Sequence, residues 1–161
     1  MEYNKGFHTV RGYQLLEQNK RLLTPAMEDY LEMICRYSLK DGFIRINRLA
    51  ELLNVKASSA TKMVQKLGKL GMLNYEKYGI VVLTESGKEI GEFLLDRHRT
   101  IEEFMRFLGC GDDVLVQTEL IEHNMNPGTV KNIKILNCFF SCNKQLAVFF
   151  VEFKKRRHPP D

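Results

Sequence analysis

The stretch Leu49-Ala50-Glu51-Leu52-Leu53-Asn54-Val55-Lys56-Ala57-Ser58-Ser59-Ala60-Thr61-Lys62-Met63-Val64-Gln65-Lys66-Leu67 decides the reading of this chain. It predicts a helix opened by an Asn47 cap and carrying Leu49, Ala50, Leu52 and Leu53. A tight turn follows at Asn54-Val55-Lys56, asparagine being the non-glycine residue that best tolerates a left-handed backbone. A second helix then turns Ala60, Met63, Val64, Leu67 and Leu70 inward at helical spacing. A helix-turn-helix needs a small residue where its helices cross, a turn residue four later, and apolar positions inside the second helix. Ala50, Asn54, Ala60 and Met63 meet that need. The outward face of the second helix is Ser58, Ser59, Thr61, Lys62, Gln65, Lys66 and Lys69. Hydroxyl and amide groups can bond base edges in a major groove, and lysines can neutralise phosphates. Leu73–Lys77 and Ile80–Leu83 flank Tyr78-Gly79 as a hairpin, which puts Lys77 and Tyr78 near the tip of a wing. A polar face on a plain three-helix core is the commoner origin of such a surface. The order helix, turn, polar-basic helix and hairpin favours binding to double-stranded DNA.

Upstream, Thr24-Pro25 reads as a helix start, with a threonine cap and proline in the first turn. Met27, Tyr30, Leu31, Ile34 and Tyr37 follow at helical spacing, and Asp41-Gly42 ends the helix. Residues 1–23 are unpatterned, an arm or a short helix around Tyr13–Leu23. Downstream, Thr84 caps a long helix with Ile90, Phe93, Leu94, Ile101, Phe104, Met105 and Leu108 on one side, ended by Gly109-Cys110-Gly111. Asp112 is expected to cap the next helix, which runs to about Met125 and is broken by Asn126-Pro127-Gly128. Thr129–Phe140 and Gln145–Lys155 read as two last helices, although the Phe and Val content of Ala147–Phe153 also suits a strand. The expected class is mainly α: a winged helix-turn-helix followed by an all-helical second half. The expected divisions are an extension at 1–23, a DNA-binding domain at 24–84, a linker helix and helical domain at 85–155, and a tail at 156–161.

The chain has 161 residues, 44% of them hydrophobic and 27% charged. These values exclude a disordered, collagen-like or coiled-coil chain, and no apolar run is long enough to span a bilayer. The N-terminal residues lack the apolar stretch of a signal peptide. Cys35, Cys110, Cys138 and Cys142 are expected to be free thiols in a reducing cytoplasm, because the chain is large enough not to need disulfides. Cys138 and Cys142 stand one helical turn apart, but no second Cys/His pair completes a zinc site.

The net charge is only +4, and its distribution says more than its size. Arg45, Arg48, Lys56, Lys62, Lys66, Lys69 and Lys77 face only Glu51 and Glu76 between positions 45 and 79. Between 107 and 130 there is no Lys or Arg, while Asp112, Asp113, Glu119 and Glu122 are present. Two kinds of partner follow from such a bipolar chain. Glu119, Glu122 and His123, at i, i+3 and i+4, share one helix face, as do Asp29 and Glu32 at i, i+3. His98 lies on the apolar side of the long helix. Each has a plainer reading: helix-dipole complement for Asp29 and Glu32, a core histidine, a solvated face. Yet the acidic face has no Lys or Arg partner within its helix, which points to a cation from outside. Carboxylates and imidazoles without thiolates suit hard or borderline divalent ions such as Mn²⁺.

At these residues the sequence resembles the diphtheria toxin repressor family, in its manganese-responsive branch. The resemblance covers roughly 24–140. It rests on Thr24-Pro25-Ala26-Met27-Glu28-Asp29-Tyr30, on the run Ser58–Leu67, on Tyr75-Glu76-Lys77-Tyr78 and Val82-Leu83-Thr84, and on Arg97-His98 and Glu119-Leu120-Ile121-Glu122-His123. It implies a homodimeric, metal-activated repressor, not an enzyme, that acts on an operator of two-fold symmetry in the cytoplasm. The metal ligands it implies are Asp29, Glu32, His98, Glu119, Glu122 and His123, holding two Mn²⁺ per protomer between the two halves. Fe²⁺, Co²⁺, Zn²⁺ or Cd²⁺ are the expected substitutes, and no membrane partner is expected. Iron-responsive members carry Met and Cys where this chain has Asp29 and Glu119, which again favours manganese. The chain departs from the family pattern in its first 23 residues, in Ala57 where proline often opens the recognition helix, in lacking an SH3-like third domain, and beyond Cys142. The rival readings are an iron-responsive member, a metal-independent or organic-ligand winged-helix repressor, and a binuclear metallohydrolase, which leaves the helix-turn-helix without a purpose.

Overall fold

A proline with no amide hydrogen follows a threonine whose hydroxyl can accept one, and the first helix begins there. In the computed structural model, which describes residues 12, 14, 15 and 22–157, α1 spans Pro25–Ser38, and Met27 N donates to Thr24 Oγ1 at 3.4 Å. Its buried face is Met27, Tyr30, Leu31, Ile34 and Cys35, with Leu31 and Ile34 wholly enclosed. Each such side chain contributes about 1.5–3 kcal/mol by leaving water. The short helix read at 13–23 lies mostly outside the described residues, although Leu15 packs against the core.

The described chain divides into two compact units, residues 1–97 and 98–161. In the first, β1 (Ile44–Arg45), α2 (Ile46–Leu52), α3 (Ala57–Lys69), β2 (Leu73–Tyr75) and β3 (Ile80–Leu83) follow α1. The three strands form one antiparallel sheet in the order β1-β3-β2. Leu73 pairs with Leu83, Asn74 with Val82, Tyr75 with Val81, and Ile44 with Val81 on the far side. Strand β1 was not foreseen, because two residues are too few to show a period. The expected Asn47 cap is also corrected. The cap residue is Arg45, with no side-chain hydrogen bond, since pairing of Arg45 with Ile80 delivers the chain directly into α2.

The turn after α2 is as the residues demanded. Asn54 sits at φ 51°, and Val55 N donates to Ala50 O at 2.9 Å. Ala50 and Ala60 are both buried where α2 meets α3, and Leu49, Val64 and Leu67 close the core around them.

Helix α4 (Glu85–Leu108) starts in the first unit and ends in the second. Gly87 N donates to Thr84 Oγ1 at 3.1 Å, and the same hydroxyl donates to Gly71 O at 2.7 Å. A Cβ on Gly87 would fall 1.7 Å from the Met72 carbonyl oxygen, so the first turn of α4 can lie against the Met72 backbone only with glycine there. Gly87→Ala is expected to destabilise the first unit by about 1–3 kcal/mol, the usual cost of overpacking. Urea unfolding followed by circular dichroism checks this, and an unchanged midpoint would refute it.

In the second unit, Gly109 at φ 71° ends α4. A 3-10 turn at Gly111–Asp113 leads into α5 (Val114–Glu122), followed by α6 (Pro127–Cys142) and α7 (Lys144–Arg157). The expected Asp112 cap is corrected: Asp112 lies within the 3-10 turn and α5 opens at Val114 without a side-chain cap. Asn126 instead caps α6 and accepts from Thr129 N at 2.9 Å, so Asn126-Pro127 starts a helix as well as ending one. Ala147–Phe153 is helical, within α7. Phe107 stacks on Phe140 and Phe150 with centroids 4.3 and 5.0 Å away. Buried Asn137 donates to the Thr100 carbonyl at 2.9 Å. Lys154 Nζ donates to the carbonyl of Leu108 at the end of α4, where a cation complements the helix dipole.

Candidate metal and nucleic-acid sites

Four of the six proposed ligands stand in the second unit, and a buried pair anchors them. His98 on α4 is 3% exposed and Glu122, the last residue of α5, is 1% exposed. Their Nδ1 and Oε2 atoms are 3.0 Å apart. Burying a carboxylate costs several kcal/mol unless charge or hydrogen bonds offset it. His98 Nδ1 is also 3.7 Å from Glu119 Oε1, and His123 Nε2 is 3.8 Å from Glu122 Oε1. One donor atom each of Glu119, Glu122 and His123 lies within 4.8 Å of the others. Two imidazoles and two carboxylates thus converge in one place, with Glu119 open to solvent. The residues present fit a divalent ion of hard or borderline character.

Asp29 and Glu32 stand one turn apart on α1 in the first unit. Asp29 is half-buried and Glu32 is buried. Arg36, one turn further on, donates to Glu32 Oε1 at 2.6 Å. Two neighbouring interactions escaped the sequence reading. Glu102 Oε2 lies 4.0 Å from His98 Nε2 and Glu102 Oε1 accepts from Arg106 at 2.7 Å, both at i, i+4 spacing that could have flagged them. Buried Arg97 donates to Glu28 Oε2 at 2.9 Å across 69 residues, for which sequence carries no local signal.

The residues expected to meet nucleic acid all lie in the first unit. Ser58, Ser59, Lys62, Gln65, Lys66 and Lys69 are all exposed on α3. Thr61 is half-buried, and its hydroxyl donates back to the Ala57 carbonyl at 2.8 Å, which leaves only the oxygen's lone pairs for an outside donor. At the wing, Glu76 N donates to Ile80 O at 2.8 Å and closes the hairpin. Tyr78 holds φ 63°, ψ 21° and is 89% exposed, with Lys77 beside it. A bulky residue in the left-handed region costs free energy and is found where function holds it.

Comparison with known proteins agrees with this architecture. Residues 22–81 match the model for the iron dependent repressor N-terminal DNA-binding domain, and 84–144 match that family's metal-binding and dimerisation domain. The chain belongs to the iron-dependent repressor family of transcriptional regulators. It is 44% identical over 118 residues to the HTH-type transcriptional regulator MntR of Oceanobacillus iheyensis, covering 73% of this chain and 80% of that protein. With the protein of the same name from Shouchella clausii it shares 40% identity over 139 residues, 86% of this chain and 97% of the relative. Among solved structures, the manganese regulator SloR superposes with a TM-score of 0.61 at 32% identity, over 71% of this chain. The chain spans 55% of that structure's length. No helix among the described residues is long and apolar enough to cross a membrane.

Proposed function

We propose that this protein is a manganese-responsive repressor that binds double-stranded operator DNA as a homodimer. The observation that carries the reading is the convergence of His98, Glu119, Glu122 and His123 around a buried carboxylate, in a chain whose other unit is a winged helix-turn-helix. Asp29 and Glu32 complete the proposed ligand set from α1. Two Mn²⁺ per protomer is the proposed stoichiometry, with Fe²⁺, Co²⁺, Zn²⁺ and Cd²⁺ as weaker activators. Iron response is the second reading, disfavoured by carboxylates at Asp29 and Glu119. The relatives are named as transcriptional regulators, and no enzymatic role is proposed.

When bound, divalent ions would supply positive charge that offsets the repulsion between neighbouring carboxylates, Asp29 with Glu32 on α1 and Glu119 with Glu122 on α5. His98 orients the Glu122 carboxylate, and Arg36 holds Glu32 in place. The solvent-facing Leu115, Val116 and Leu120 of α5 and Ile135 and Leu136 of α6 are the kind of apolar surface that a second copy covers. In the dimer, two α3 helices address successive major grooves, roughly 34 Å apart. Ser58, Ser59, Thr61 and Gln65 face base edges, while Lys62, Lys66, Lys69 and Lys77 meet phosphates and Tyr78 meets the backbone or minor groove. By linkage, operator DNA must tighten metal binding by the factor with which metal tightens DNA binding. Repression of metal-uptake genes in the cytoplasm is the proposed setting.

The test is operator binding measured side by side in Mn²⁺, Fe²⁺, Zn²⁺ and chelator, with the operator first selected from random duplex DNA in Mn²⁺. Affinity is expected to be highest with Mn²⁺ and to fall about 5–150-fold in chelator, the usual range of an allosteric coupling. Equal affinity in Mn²⁺ and chelator would overturn the mechanism.

A further inference from the structure

Two apolar surfaces of the second unit stay open to solvent, and each has what the other lacks. Helix α5 buries Val114, Thr118 and Glu122 along one side, while Leu115, Val116 and Leu120 stand off that side and are more than half exposed. On α7, Phe150 stacks inward on Phe107, but Leu146, Phe149 and Phe153, at i, i+3 and i+7, share a face that remains exposed. With Phe139, Phe140 and Phe150 they line an apolar groove of about 340 Å³ between α6 and α7. Phe139 follows Ile135 by one turn of α6, so the groove continues the exposed apolar face of Ile135 and Leu136. Helix α7 lies almost wholly beyond residue 144, where the match to the dimerisation domain ends.

We propose that each groove receives α5 of a second copy of the chain, the two contacts being exchanged across a two-fold axis; this rests on the homodimer proposed above. The five exposed apolar residues of α5 and α6 fall short of the roughly 20–30 residues that a specific interface draws from each side. The phenylalanine groove extends that surface with the side chains that bury the most area per residue. Charge sets the direction of the pairing. Arg157 Cζ lies 5.4 Å from the centre of the Phe153 ring, and Arg156 stands one turn from Phe153 at the same end of α7. Exposed Asp112 and Asp113 precede α5, and no Lys or Arg occurs between 107 and 130. Antiparallel to α7 of the other copy, α5 brings these carboxylates to the guanidinium groups. The lengths also agree. At 1.5 Å per residue, Leu115 to Leu120 covers about 7.5 Å and Leu146 to Phe153 about 10.5 Å.

Sedimentation equilibrium of the full-length protein in saturating Mn²⁺ reads the dimer dissociation constant. Phe149→Asp or Leu146→Asp in the groove, and Leu115→Asp on α5, are each expected to raise it at least about 30-fold, the effect of losing an interface anchor. Val148→Asp, exposed on α7 but outside the groove, should leave it unchanged. Circular dichroism checks that each variant is folded. An equimolar mixture of the Phe149→Asp and Leu115→Asp proteins should dimerise more tightly than either alone. The mixed dimer keeps one intact α5 against one intact groove, and damage to two residues in contact does not add. A wild type that stays monomeric would overturn the homodimer and this pairing with it. A wild-type dimer that the groove variants leave equally tight, or a mixture no tighter than its components, would overturn the pairing alone. Phe149-dependent binding to vesicles of anionic phospholipid, with the dimer unchanged, would overturn it by giving the groove to a membrane surface.

Discussion

Glu122→Gln is expected to abolish the manganese response of operator binding while leaving the protein folded. Glu122 is the pivot of the ligand cluster: it is enclosed, 3.0 Å from His98 and 3.8 Å from His123. The amide keeps its volume and removes the negative charge that a cation requires. Operator affinity in saturating Mn²⁺ should fall by about 5–150-fold, to the value the wild type shows in chelator. Affinity in chelator itself should stay unchanged, because α3 and the wing are untouched. Fluorescence anisotropy of a labelled operator reads both values, and thermal melting by circular dichroism confirms the fold. A variant that kept the full Mn²⁺ response would remove Glu122 from the ligand set.

Arg97→Ala is expected to have the largest effect on stability. The Arg97 side chain is 4% exposed and that of Glu28 13%, and they meet at 2.9 Å between α4 and α1 within the first unit. Removing one partner of a largely buried ion pair costs up to about 3–5 kcal/mol. Pairing it with Glu28→Ala should recover part of that loss, which gives the double-mutant cycle a clear sign. Urea denaturation of the four proteins measures it. A loss below about 1 kcal/mol for Arg97→Ala would mean that the bridge behaves as a surface pair.

Arg97 and Glu28 also mark where sequence reasoning runs out. The helix-turn-helix was legible because its determinants are local: Ala50 at the crossing, Asn54 in the left-handed turn, Ala60 and Val64 inside. Thr24, Pro25 and Thr84 announced helix starts through the hydrogen-bonding chemistry of one or two residues. Errors came where a tertiary contact outweighed a local preference. Asn47 is a good cap residue, yet β1 pairing starts α2 two residues earlier, and Asp112 is drawn into a 3-10 turn ahead of α5. The β-rich composition of Ala147–Phe153 gives way to a helix because Phe150 stacks on Phe107.

The candidate site divides in the same way. Periodicity alone placed Glu119, Glu122 and His123 on one face and Asp29 with Glu32 on another, since residues three and four apart in a helix must be neighbours. That a buried imidazole from α4 meets Glu122 at hydrogen-bonding distance, that Arg36 holds Glu32, and that Thr61 turns its hydroxyl back into its own helix are tertiary or rotameric outcomes. Sequence determined the elements and the chemistry each face carries, because backbone propensity and helical spacing act over a few residues. Only the folded chain decided which faces meet and which charges leave water, because burial and Coulomb energy depend on distances in space that separation along the chain does not encode.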